Sequence, residues 1–88
     1  MSDRNPLEGG RPRLQSRFAD AVRRRRKATN LSQEAFADHI EMHRAQYSFI
    51  ERGKRDFRLS SLERVAQGLG QPLWEILREA EEADPRGP

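Results

Sequence analysis

The sequence between Leu31 and Gly53, LSQEAFADHIEMHRAQYSFIERG, predicts two short helices joined by a tight turn. Ser32 can cap the first helix, because its hydroxyl accepts a hydrogen bond from the free N–H groups of the first turn. We place the helices at about 33–40 and 43–52, with the turn at 41–42 and Gly53 as a left-handed C-cap. Helices this short are not stable alone in water, so other helices must cover the pair.

Apolar residues at helical spacing predict three further helices around this pair. The first begins at about Leu14 and ends near Asn30, which can adopt the left-handed conformation that often ends a helix. A fourth helix opens at the capping box Ser60–Glu63 and ends at Gly70, and Pro72 opens a fifth. The sequence therefore predicts an all-α fold with five helices.

The composition predicts one small domain between two flexible ends. The chain has 88 residues, of which 34% are hydrophobic, so its core must be small. We expect residues 1–12, which contain several prolines and glycines, to form a disordered arm, residues 13–78 the domain, and residues 79–88 an acidic flexible tail. The absence of cysteine, of a signal peptide and of a long apolar run favours a cytoplasmic protein without a membrane span.

The charge is distributed unevenly along the chain. Residues 1–58 carry 14 basic and 8 acidic groups, whereas residues 59–88 carry 3 and 6. A basic half suits a polyanion such as DNA, and an acidic half is better placed facing solvent or a protein partner. Charged residues also serve simply to solvate helices, so charge alone leaves the two interpretations about equal.

Three segments of the chain resemble the lambda-repressor-like helix-turn-helix family, which includes the Cro/cI and xenobiotic-response-element regulators. These segments are LSQEAFA, HRAQYSFIERGKR and LSSLERVAQGLGQPLWEIL. The resemblance extends from about Phe18 to Leu77. Within the family, the second segment is similar to the small controller proteins of restriction-modification systems. The resemblance implies a compact DNA-binding domain and a homodimer on a pseudo-palindromic operator, with its two recognition helices about 34–36 Å apart.

The outer face of the second helix of the pair is the predicted DNA-reading surface, because Tyr47 and Ile50 take its inner face. Arg44 can form a bidentate pair with guanine, a contact worth about 1–3 kcal/mol of discrimination. Neighbouring side chains can meet thymine methyl groups or bond base edges. A core position is the alternative for Phe49. The predicted DNA base contacts are Arg44, Ala45, Ser48 and Phe49.

Residues around this surface are predicted to bind DNA phosphates. Gln33 lies at a helix start beside free N–H groups, and the family uses the glutamine of LSQE to contact a phosphate. Cations that follow a recognition helix can clamp phosphates without reading sequence. Solvated side chains without a role are the alternative. The predicted phosphate contacts are Gln33, Gln46, Arg52, Lys54 and Arg55.

Two further assignments concern the frame of the domain. The resemblance implies that Arg26 and Glu51 form a partly buried ion pair between the first helix and the recognition helix. The fifth helix carries more large apolar side chains than a small core needs, and relatives dimerise through their C-terminal helices. The predicted dimer interface is Leu73, Trp74, Ile76 and Leu77, with a core position as the alternative for Trp74.

Motifs for catalysis, metal binding or cofactor binding are lacking. His39 and His43 lie on opposite sides of the predicted turn, and the carboxylates fall on solvated faces without a pocket. We therefore expect a bacterial or phage regulator at the nucleoid that is no enzyme and needs no cofactor or metal. Its expected partners are double-stranded DNA and a second copy, with RNA polymerase added if it activates transcription. The alternatives are an orphan repressor and, from a different class, an antitoxin or protein-interaction module that uses the same fold.

Overall fold

The computed structural model describes residues 13–54 and 56–83, and these residues form five α-helices. The helices are α1 (Leu14–Ala28), α2 (Gln33–His39), α3 (Arg44–Arg52), α4 (Leu59–Leu69) and α5 (Leu73–Glu82). The predicted all-α, five-helix fold is confirmed. Across the described ranges, none of the helices has the length and apolar character needed to cross a membrane.

Local signals set several helix ends where the sequence predicted them. The Ser32 hydroxyl accepts a hydrogen bond from the Ala35 N–H at 3.0 Å and caps α2. Gly53 and Gly70 end α3 and α4 in the left-handed conformation, with φ of 61° and 72°. Asn30 has a φ of 65° and turns the chain after α1. Each of these residues lies at the start or the end of a helix, where backbone groups lack a partner within the helix.

The predicted start of α4 is wrong by two residues, since the predicted N-cap was Ser60, and its capping box is not formed. The carbonyl of Arg58 accepts hydrogen bonds from the N–H groups of Ser61 and Leu62, at 3.0 and 3.1 Å. Arg58 is therefore the N-cap, without a side-chain cap, and Ser60 lies inside the helix. From that position its hydroxyl cannot cap the first turn.

The predicted boundary between domain and tail after residue 78 is also wrong. Helix α5 continues to Glu82, the side chain of Ala80 is fully buried, and Glu79 bonds two arginines of α1. Packing against α1 therefore holds a segment that its acidic composition alone had marked as a tail. The proposed arm at 1–12 and residues 84–88 lie outside the described residues.

The core is formed by the inner faces of all five helices. Phe36 and Tyr47 meet at its centre with ring centroids 5.1 Å apart. The other fully or nearly fully buried apolar side chains are Phe18, Ala19, Ala21, Val22, Ala37, Ile40, Met42, Ile50, Val65, Ala66, Ile76 and Ala80. Gly68 lets α4 approach α2, because a Cβ at this position would lie 2.2 Å from Cγ2 of Ile40.

The four side chains predicted for the dimer interface differ in how much of their surface is exposed. Ile76 has no exposed surface, so it belongs to the core of its own chain and cannot contact a second copy, and its assignment to the interface is wrong. Leu73 and Leu77 are half-buried and pack against the core. Trp74 is 60% exposed, and Leu59 on α4 is 70% exposed.

The turn between α2 and α3 holds a non-glycine residue in the left-handed conformation. Glu41 has a φ of 56°, which costs a residue with a Cβ roughly 1–2 kcal/mol. Its carbonyl accepts a hydrogen bond from Arg64 at 3.3 Å, and the next residue, Met42, is buried and bonds back to the carbonyl of Ala37 at 2.9 Å. These contacts hold the turn in spite of its backbone strain.

Candidate nucleic-acid interface

The carboxylate of Glu51 accepts hydrogen bonds from three helices and fixes the position of α3. Arg26 of α1 donates from Nε at 2.6 Å and from Nη2 at 3.1 Å, and Gln33 of α2 donates from Nε2 at 2.9 Å. The hydroxyl of Tyr47, one turn earlier on α3, donates as well. Glu51 is 2% exposed and Arg26 is 8% exposed, so the ion pair that the resemblance implied lies almost entirely inside the protein.

The pKa values of Glu51 and Arg26 favour the ionised forms of both side chains. Burial works to raise the pKa of Glu51, but the hydrogen bonds from Arg26, Tyr47 and Gln33 outweigh it and lower the pKa below its ordinary value. The hydrogen bond to Glu51 raises the pKa of Arg26, and burial raises the pKa of Tyr47. At neutral pH the carboxylate and guanidinium are therefore ionised, whereas the phenol is neutral.

Arg23 is a second link between α1 and α3 that the sequence analysis did not predict. Its Nη1 donates to the main-chain carbonyl of Glu51 at 2.8 Å. Arg26 also donates from Nη1 to the carbonyl of Leu31 at 2.8 Å, at the entry to α2. Arg23 and Arg26 are three residues apart and thus lie on the same side of α1. This spacing was the signal that could have identified Arg23.

The outer face of α3 is open to solvent. Arg44, Ala45 and Gln46 are exposed, and Ser48 and Phe49 are half-buried, whereas Tyr47 and Ile50 are buried on the inner face. The guanidinium of Arg52 lies over the Phe49 ring, 5.5 Å from its centroid. Phe49 therefore lies outside the buried core, beside a cation on the same face of the helix.

The N-terminus of α3 is capped by a histidine. Nδ1 of His43 accepts a hydrogen bond from the Ala45 N–H at 3.2 Å. This cap fixes the first turn of α3, from which Arg44 extends into solvent.

The predicted phosphate-binding side chains surround this open face. One Nε2 proton of Gln33 is bonded to Glu51, which leaves the second for another acceptor. Gln46 Nε2 lies 3.4 Å from Oγ of Ser61 and links α3 to the first turn of α4. Arg52 and Lys54 are exposed at the end of α3 and just beyond it. Arg55 lies outside the described residues.

Most of the five cations at 23–27 are bonded within the protein, so the run adds less free positive charge to the surface than its composition indicates. Arg24 and Arg25 bond the carboxylate of Glu79, and the arginines on either side of them bond Glu51. Within residues 13–54 and 56–83, Lys27 is the only residue of this run whose side chain has no hydrogen-bond or ion-pair partner. That same part of the chain contains no group of His, Cys, Asp and Glu side chains that could hold a metal ion.

The sequence of this chain is similar to those of known proteins. Residues 22–74 match the helix-turn-helix family. The control protein C.MunI of a Mycoplasma species is 42% identical over 69 residues, covering 77% of this chain and 93% of that protein. The control protein C.BamHI of Bacillus amyloliquefaciens is 39% identical over 54 residues, covering 60% and 67%.

Solved structures of controller proteins share the fold. The restriction-modification controller C.Esp1396I has been crystallised as a tetramer in complex with its natural 35-base-pair operator. That structure superimposes on this chain with a TM-score of 0.68 at 27% identity, covering 80% of this chain and 97% of C.Esp1396I.

Proposed function

This chain belongs to the helix-turn-helix family of control proteins, and we propose that it is a sequence-specific DNA-binding regulator of transcription within a restriction-modification system. In this proposal residues 13–83 are the DNA-binding and dimerisation domain of a homodimer that binds a pseudo-palindromic operator at the nucleoid. RNA polymerase is a further partner if the protein activates transcription. The open face of α3, held in place by the buried Glu51 network, is the observation that carries this proposal.

Base reading is proposed for the N-terminal half of α3. Arg44 is exposed in the first turn, directly after the His43 cap, where a bidentate pair with guanine O6 and N7 is sterically open. Ala45 and Phe49 offer apolar contacts to thymine methyl groups, and Ser48 offers a hydroxyl. The Arg52 guanidinium lies over the Phe49 ring and places a cation beside this apolar contact.

Phosphate binding is proposed for the edges of the same face. Lys54 and Arg52 are exposed cations at the C-terminal end of α3. Gln33 adds an amide proton at the start of α2, and Gln46 adds another beside α4. Such contacts fix the register of the protein on the duplex and make affinity fall with rising salt.

Dimerisation is proposed at the exposed apolar side chains of α4 and α5. Trp74 on α5 and Leu59 on α4 expose most of their surface, and the half-buried Leu73 and Leu77 lie on α5 with Trp74. Burying such side chains against a second copy removes apolar surface from water, which is the main driving force of association. The tetrameric assembly of C.Esp1396I on its operator supports self-association of this chain on DNA.

Selection of bound sequences from a random DNA pool tests the proposal. We expect two inverted half-sites about one helical turn apart, with the affinity for the selected DNA falling steeply as salt rises. Binding that is weak and indifferent to sequence would contradict the proposal. In that case purification of the protein with a bound protein partner would favour the interaction-module alternative.

A further inference from the structure

Four consecutive arginines of α1 bond the recognition helix on one side and the C-terminal helix on the other. Arg23 and Arg26 bond Glu51 of α3 through its carbonyl and carboxylate. Arg24 Nη2 lies 2.7 Å from Oε2 of Glu79, and Arg25 Nε lies 2.6 Å from Oε1. Helix α1 therefore links α3 to α5: it binds the carboxylate of Glu51 on one side and the carboxylate of Glu79 on the other.

The ion pairs of Glu79 join α5 to α1, two helices that are far apart in the sequence. Both oxygens of its carboxylate are used, each by a different arginine, and the side chain is 29% exposed. Arg17, two turns earlier on α1, donates from Nη1 to the main-chain carbonyl of Ala80 at 3.1 Å. Burial works to raise the pKa of Glu79, but the hydrogen bonds from Arg24 and Arg25 outweigh it and lower the pKa. The carboxylate is thus ionised at neutral pH.

The remaining ion pair of α5 differs in kind. Arg78 and Glu82 pair at 3.0 Å within one helix, and both side chains are about two-thirds exposed, at 67% and 65%. A pair of this type does not link two elements and contributes little to geometry or stability. Glu79 and Glu82 carry the same charge, but only Glu79 of the two links α5 to another helix.

We infer that Glu79 is a positioning residue that fixes the angle between the dimer face of α5 and the recognition helix, and thereby sets the spacing of the two half-sites that the protein accepts. The inference rests on the proposed homodimeric operator binding. In a two-fold dimer each recognition helix is displaced from the symmetry axis by the path α5–α1–α3. A looser joint between α5 and α1 therefore changes the separation of the two helices, but leaves the base-reading face of each helix unchanged.

The test measures spacing preference separately from base preference. The full chain, Glu79→Gln and the control Glu82→Gln are each bound to DNAs in which the selected half-site is repeated as an inverted pair with spacers differing by one base pair. We expect Glu79→Gln to lose roughly fivefold of the discrimination between the best spacer and its neighbours, as expected for loss of about 1 kcal/mol of coupling. Its preference among half-site sequences stays that of the wild type, and Glu82→Gln retains the wild-type spacing profile.

An unchanged spacing profile in folded Glu79→Gln would overturn the inference. A wild-type protein without any spacing preference would instead refute the homodimer proposal, and the inference with it. Thermal unfolding establishes that each variant is folded. If Glu79→Gln is unfolded, the double variant Arg24→Gln/Arg25→Gln, which removes both partners of Glu79, takes its place, and a wild-type profile in that folded variant would overturn the inference equally.

Discussion

The side chain of Arg44 is the sharpest test of base reading at the scale of single residues. We expect Arg44→Ala to lose about 1–3 kcal/mol of preference for the selected operator over a variant at one guanine, because the bidentate pair is absent. Salt-dependent binding to unrelated DNA remains. Competition binding with the two DNAs measures the preference, and an unchanged preference would exclude Arg44 from base recognition.

Lys54 is the matched comparison, since it is an exposed cation just beyond the end of α3. We expect Lys54→Ala to weaken binding to all sequences about equally and to reduce the slope of log affinity against log salt by about 1. The half-site preference is retained. A loss of sequence preference with an unchanged salt slope would place Lys54 at a base rather than a phosphate.

The buried carboxylate of Glu51 makes stability depend on pH. Its pKa is lower in the folded protein than in the unfolded chain, so its ionised form stabilises the fold above the ordinary carboxyl pKa of about 4.3. This contribution is lost as the pH falls from there through the lower pKa of the folded state. We expect the thermal midpoint to decrease over that acidic range.

Substitution of the carboxyl group identifies its share of this effect. In Glu51→Gln the decrease on acidification is smaller, and stability at neutral pH is lower by about 3–5 kcal/mol because Arg26 keeps a buried charge without its partner. Thermal melts of both proteins from pH 7 to pH 3 provide the measurement. Parallel curves would show that other carboxylates dominate the acid response.

Helix packing depends on a missing side chain at Gly68. A Cβ there would lie 2.2 Å from Ile40 Cγ2 and 3.1 Å from the Phe36 ring, within the buried contact of α2 with α4. We expect Gly68→Ala to destabilise the protein by about 1–3 kcal/mol, although alanine is the better helix former. Urea unfolding gives the value. Gln67→Ala, at the exposed neighbouring position, is the control and leaves stability nearly unchanged.

Helix ends show where the sequence was sufficient. Ser32, Gly53 and Gly70 each end or begin a helix through a local backbone requirement, so their pattern predicted the boundary. The end of α5 depends on contacts with α1 that no local pattern records, and α4 begins after Arg58 without a side-chain cap that a sequence pattern could have marked. The same distinction explains the site: Arg26 with Glu51 followed from the family resemblance, whereas the Glu79 bonds required the packing of α1 on α5.

Burial could not be predicted for α5 from composition. Leu73, Trp74, Ile76 and Leu77 are all large and apolar, and helical spacing alone did not show which of them the four other helices cover. The assembled core includes Ile76 and leaves Trp74 60% exposed. Only the placement of the neighbouring helices separates a core residue from a candidate interface residue.

Substitutions at Trp74 and Ile76 test whether the whole molecule forms a homodimer through α5. We expect Trp74→Asp to stay folded but to sediment as a monomer and bind the two-half-site operator at least tenfold more weakly, because a charge replaces exposed apolar surface at the proposed interface. Ile76→Asp is the contrasting variant and should unfold, since it buries an unpaired charge. A dimeric Trp74→Asp would place the interface elsewhere.

The Glu51 network has a consequence for how such regulators diverge. Its bonds hold α3 entirely from the inner face and from the first and second helices, and they involve none of the exposed side chains Arg44, Ala45 and Gln46. Substitutions at those exposed positions therefore carry little penalty in folding free energy. New operator specificities can accumulate on an unchanged scaffold, so that regulators with nearly superimposable backbones can control separate sets of genes in one cell without interfering with each other.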